Sequence, residues 1–87
     1  LTDLNDFEVE IEYPCAWAYT VIGVDRARME QVVAELMGDT AYTLEYSQAS
    51  RTGKYCALHL ELIVETEEHR IGVFHALRGH PAIRAVM

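Results

Sequence analysis

The chain has 87 residues, 51% of them hydrophobic, with 7 Lys and Arg against 14 Asp and Glu for a formal charge of −7. That length allows one small domain with a thin core. It contains no run near the roughly 20 apolar residues that a membrane helix needs, and its acidic balance works against binding a phosphate backbone. No basic segment followed by an apolar one opens the chain, so no secretory leader is expected and a cytoplasmic protein is the default.

Residues 1–13 read as an acidic arm and 14–87 as the folded domain. Asp3, Asp6, Glu8, Glu10 and Glu12 precede any basic residue. Phe7, Val9, Ile11 and Tyr13 alternate with glutamates, as in an extended segment with one apolar edge. Such an arm either keeps a small apolar domain in solution or docks on a basic partner. Pro14 interrupts the pattern because it has no N–H to pair.

Ala16 to Ile22 reads as a central strand with two apolar faces, closed by Gly23. Asp25 is placed to cap a helix in which Met29, Val32, Val33 and Leu36 form one stripe. Gly38 suits the position just past its end, where a left-handed backbone is wanted. A second strand spans about 41–49, with Tyr42, Leu44 and Tyr46 alternating. The turn Ser50-Arg51-Thr52-Gly53-Lys54 leads into a third strand in which Leu58, Leu60, Leu62 and Val64 line one dry face. Thr66 caps a second helix, Glu67 and Glu68 suit its positive end, and Val73, Phe74 and Leu77 point inward. Gly79 and Pro81 end it, and residues 83–87 read as a last short strand.

The order β-α-β-β-α-β predicts an α+β, ferredoxin-like sandwich: two helices on one face of a four-stranded antiparallel sheet. Trp17, Tyr19 and Val21 would share the helix side with Leu58, Leu60 and Leu62. The other face would show Ala18, Thr20, Ile22, Ala57, His59, Glu61 and Ile63. Cys15 and Cys56, read as opening two parallel central strands, would come close together as small buried side chains or as a thiol pair.

Taken together and in order, Tyr13-Pro14-Cys15, Val21-Ile22-Gly23, Ser50-x-x-Gly53-Lys54-Tyr55, Phe74-x-x-Leu77, His80-Pro81-x-Ile83 and Val86-Met87 resemble the YbeD-like family of small bacterial proteins. The resemblance covers nearly the whole chain. It implies the ferredoxin-like fold, a likeness to the ACT-type regulatory domains of amino-acid enzymes, and a lipoate-linked regulatory role. The chain departs from the family pattern at Arg70, where an apolar residue is usual, and at Trp17, where Phe is usual. Arg70 either snorkels at the core edge or yields its place to Ile71. The loop from Gly23 to Arg28 lacks the second Gly with which ACT domains dock an amino acid.

No catalytic motif surrounds His59, His69, His75 or His80, and the glycine-rich phosphate loop of acylphosphatases, which share this fold, is missing. The chain is therefore expected not to be an enzyme, and no catalytic residue, metal site or cofactor is assigned. A small enzyme would have to use His59 and Glu61, which share a strand face. Gly53-Lys54-Tyr55 superficially matches an RNA-recognition motif, but the row beyond it offers no stacking platform. The favoured expectation is a regulatory domain that binds a small metabolite, lipoate or an amino acid. The candidate ligand residues are Gly23, Asp25, Ser50, Arg51, Gly53, Lys54, His59 and Glu61, the turn among them offering two cations and several N–H donors. The alternative is an adaptor that binds a protein partner, or a second copy of itself, through the sheet face or the arm. Neither nucleic acid nor membrane is expected as a partner.

Overall fold

The computed structural model describes residues 11–49 and 53–87. The elements are β1 (Cys15–Gly23), α1 (Arg26–Met37), β2 (Tyr42–Ala49), β3 (Cys56–Val64), α2 (Glu67–Arg78) and β4 (Ala85–Val86). They form one antiparallel sheet in the order β2-β3-β1-β4, the ferredoxin-like arrangement that the pattern of the chain predicts.

Each helix starts where a side chain satisfies an orphan N–H. Asp25 accepts from the Arg28 N–H at 3.1 Å, and Thr66 accepts from the His69 N–H at 3.0 Å. Glu67 and Glu68 sit in the first turn of α2, with His75 and Arg78 in its last, each matching the end of the dipole it faces. Gly38 ends α1 at φ 59°, a positive angle that a Cβ disfavours, but with ψ −120° it lies outside the left-handed helical region.

The core lies between the helices and one sheet face. Val21, Met29, Val32, Val33, Leu58, Leu60, Val64 and Leu77 are fully buried, with Tyr19, Leu62, Met37, Val73 and Ile83 nearly so. The stripe of α1 differs from expectation at one place. Met37 is buried and Leu36 is 38% exposed, because α1 turns its last residue, one position further on, toward the sheet. The expected parallel pairing of the central strands is also corrected. β1 and β3 run antiparallel, with Cys15 opposite Val64 and Cys56 opposite Gly23, so the two thiols lie at opposite ends of the sheet. The reason is topological: α1 carries the chain back so that β2 runs with β1, and the hairpin then inserts β3 between them in the opposite sense. Cys56 instead places its sulfur 3.7 Å from that of Met29.

β4 is shorter than the five residues expected. It pairs with β1 at Val21 and Ile22, and Met87 exchanges both backbone hydrogen bonds with Thr20 at 2.9 Å. At the other side of the sheet the β2–β3 register shifts between Tyr46 and Gln48. Tyr46 is 43% exposed there and lies under the Arg26 guanidinium, 4.5 Å from the ring centre. Among the described residues, no helix is long and apolar enough to cross a membrane.

Candidate functional site

The shortness of β4 shapes the site. Beyond Thr20, the N-terminal half of β1 has no strand on its outer side among the described residues. The alternation of β1 sends Trp17 and Tyr19 to the helix side. On α2, Arg70 and Phe74 stand four residues apart and so share a helical face. Between them opens a groove of about 340 Å³ lined by Trp17, Ala18, Tyr19, Arg70, Ile71, Phe74 and Met87. That volume falls at the small end of the range for small-molecule sites, about 300–1,000 Å³.

The polar groups of the groove converge on Tyr19. Its hydroxyl donates to the Arg70 carbonyl at 2.6 Å. Burial pushes the ionisation of this hydroxyl above its ordinary value; the Arg70 guanidinium pulls it down and Tyr13 raises it further. The guanidinium of Arg70 stacks over Trp17 at 4.5 Å from the ring centre, and one of its terminal nitrogens reaches Glu67 at 3.5 Å. Arg70 thus snorkels over the core edge, while Ile71 is 43% exposed. Two buried side-chain polar atoms lack a hydrogen-bond partner among the described residues: Arg70 Nε and the Tyr13 hydroxyl. Both belong to groups that act electrostatically on Tyr19. Buried donors without partners are rare and costly, and mark a place where an acceptor is missing.

The residues singled out from the sequence fall elsewhere. Gly23 and Asp25 lie at the β1–α1 end of the sheet. Gly53 and Lys54 lie at the same end, because Cys56 pairs with Gly23; Ser50 and Arg51 fall outside the described residues. Gly23 is packed so closely that a Cβ would sit 2.6 Å from the Met29 sulfur and 2.8 Å from the Ala82 carbonyl oxygen. The Asp25 carboxylate is engaged as the cap of α1. Gly53 has φ 74° and Lys54 lies over the Tyr55 ring at 5.4 Å. His59 and Glu61 are exposed on the open sheet face, opposite Thr20 and Ala18 respectively. Glu61 borders a shallow groove of about 230 Å³ with Ala16, Tyr42, Thr43 and Ile63, and His59 does not line it. Trp17, Tyr19 and Phe74 read from the sequence as core only. What singles them out is the break in pattern at Arg70 together with the brevity of the last strand, which no periodicity discloses.

The antiparallel ferredoxin-like sheet with two helices on one face defines a small α+β domain whose fold is already solved. The solution structure of protein HP0495 from H. pylori superimposes with a TM-score of 0.80 at 18% identity, covering 100% of this chain and 96% of that one. Such a likeness speaks for the fold alone. Residues 8–87 match the family model described as protein of unknown function, DUF493. A UPF0250 protein of Hahella chejuensis is 32% identical over 91 residues, spanning 100% of both chains. The uncharacterised protein Cj0253 of Campylobacter jejuni is 30% identical over 79 residues, 91% of this chain and 90% of that one. The chain belongs to the DUF493, or UPF0250, family, the YbeD-like group that its motifs resemble.

Proposed function

We propose that this protein is a non-enzymatic, cytoplasmic regulatory domain that binds a small carboxylic metabolite, an amino acid or a lipoate-like acid, in the groove between β1 and α2. One observation carries the reading. Arg70, which lines the otherwise apolar groove beside Tyr19, holds a buried Nε that has no hydrogen-bond partner among the described residues. A carboxylate accepts from the guanidinium in a charge-assisted bond. Trp17, Ile71 and Phe74 give the apolar body of the ligand a wall. The ACT-like topology expected from the sequence is consistent with this role but does not establish it.

The test is a thermal-shift and Trp17-fluorescence series on the full chain with amino acids, lipoate and short-chain fatty acids. At a hundredfold excess over its dissociation constant, a ligand of the native state stabilises by about 2.7 kcal/mol. A binder should raise the transition temperature and perturb Trp17, and Arg70→Met should abolish both effects. If no acid moves either signal, the reading fails.

A second reading, self-association through the sheet face, is favoured by Ile63, which is 53% exposed beside Ala16 and opposite it in register. It predicts a concentration-dependent dimer in sedimentation that Ile63→Lys dissociates. A monomer at all concentrations removes it.

A further inference from the structure

The open edge of β1 runs out of the groove. Thr20 exchanges both backbone bonds with Met87, and the Ile22 carbonyl accepts from the Arg84 N–H at 2.8 Å. Backbone groups alternate in direction along a strand, so the even-numbered residues of β1 aim their N–H and C=O toward the β4 side. The odd-numbered ones face β3, which pairs with β1 from Cys15 to Gly23. On the outer side, pairing reaches only as far as Thr20. Among the described residues, nothing pairs with the outward groups of Ala18 and Ala16, both of which are exposed. Ala18 also lines the groove that holds Arg70. A strand edge, a cation and an apolar wall thus meet within one small site.

We infer that the carboxylic ligand is the carboxy-terminal end of a polypeptide, docked in extended form on the β1 edge. The inference rests on the carboxylate site proposed above and names what carries the carboxylate. The edge selects a peptide over a simple acid. Ala16 and Ala18 offer their N–H and C=O groups about 7 Å apart, the two-residue repeat of an extended chain, and a lone carboxylate cannot pair with both. In this mode of recognition the backbone supplies affinity and a pocket reads alternate side chains. Trp17, Ile71 and Phe74 make that pocket apolar. The terminal carboxylate falls to Arg70, whose guanidinium carries five N–H donors. One terminal nitrogen reaches Glu67 at 3.5 Å, and Nε has no partner among the described residues. An internal segment brings no main-chain carboxylate to that guanidinium, so a chain end fits better. The open stretch runs only from Ala18 to the start of β1 at Cys15, so about three residues of ligand fill it.

NMR titration of the full chain with acetyl-alanyl-alanyl-leucine, its C-terminal amide and 4-methylvalerate tests it. The last keeps a carboxylate and a leucine-like body but has no peptide backbone. The tripeptide acid should bind at least about tenfold more tightly than either, and should shift the Ala18 amide and the Trp17 indole. Pairing alternates along a strand, so N-methylation of one of two successive ligand amides should remove the advantage and of the other should leave it. Ala18→Pro deletes the outward N–H without touching a bond to β3, and should weaken the tripeptide about fivefold while sparing 4-methylvalerate. The N-methylated ligands carry the test if that variant does not fold. A tripeptide that binds no more tightly than 4-methylvalerate, or that tolerates both N-methylations, overturns the inference and leaves the carboxylate site standing. A tripeptide amide that binds as tightly as the acid, or the failure of every acid to bind, overturns the site and the inference with it.

Discussion

The Arg70 guanidinium lies over Trp17, 4.5 Å from the ring centre, while its own Nε is buried without an acceptor among the described residues. One side chain thus makes a favourable contact and carries an unmet demand, and the two have opposite signs in stability. The stacking is worth about 0.5–2 kcal/mol, and the orphaned donor costs about 1–3 kcal/mol. Arg70→Met keeps the stem over the ring and removes both, so its stability in urea should fall within about 1 kcal/mol of the natural protein. Arg70→Ala also strips the methylenes from Trp17 and should be clearly less stable than Arg70→Met. Equal losses in the two variants would show that charge, not packing, holds this corner.

Tyr19 ties β1 to α2 through its 2.6 Å bond to the Arg70 carbonyl. Tyr19→Phe should cost about 0.5–1.5 kcal/mol near neutral pH. The pH dependence follows from the raised ionisation of the hydroxyl. The folded chain holds this proton more tightly than the unfolded chain does. The resulting stability is fully present below the ordinary tyrosine value and is lost as pH rises through the raised one. The gap between natural protein and Tyr19→Phe should therefore narrow as denaturation is followed from pH 8 to about pH 11. A constant gap would mean that the folded hydroxyl titrates no differently from the unfolded one.

The sheet and both helices are legible in the sequence because their signals are local and periodic. Leu58, Leu60, Leu62 and Val64 alternate, Asp25 and Thr66 sit one position ahead of their helices, and burial follows both patterns. What is not legible depends on partners far along the chain. Whether Cys15 and Cys56 meet depends on strand direction, which no single strand encodes. The groove exists because β4 stops short and α2 lies across β1, and neither fact is local. Arg70 stands between the two: the likeness to the family shows a cation where an apolar residue is usual, and only the fold shows that it lines the groove.

The end of α1 separates a periodic reading from a packed one. Leu36 continues the sequence stripe but is 38% exposed, whereas Met37 is 6% exposed. Met37→Ala should cost about 2–4 kcal/mol, the range for emptying a core position. Leu36→Ala should cost clearly less than Met37→Ala, since over a third of Leu36 stays in water on folding and its loss leaves no enclosed cavity. Urea midpoints of the two variants decide it, and the reverse order would place the core face of α1 one residue back.

Two glycines make opposite demands on the same substitution. At Gly23 an added Cβ meets the Met29 sulfur at 2.6 Å and the Ala82 carbonyl oxygen at 2.8 Å. Met29 is fully buried and the carbonyl belongs to the backbone leading into β4, so neither moves without disturbing the β1–β4 end of the sheet. Gly23→Ala should cost about 1–3 kcal/mol. Gly72 lies in the middle of α2 with nothing within 4 Å of an added Cβ. Gly72→Ala should stabilise by up to about 1 kcal/mol, because alanine restricts the unfolded chain and suits a helix. Thermal melts of both variants check the pair. A neutral Gly23→Ala would show that Met29 has room to retreat, and would return Gly23 from a packing role to the ligand-binding role its place in the sequence first indicated.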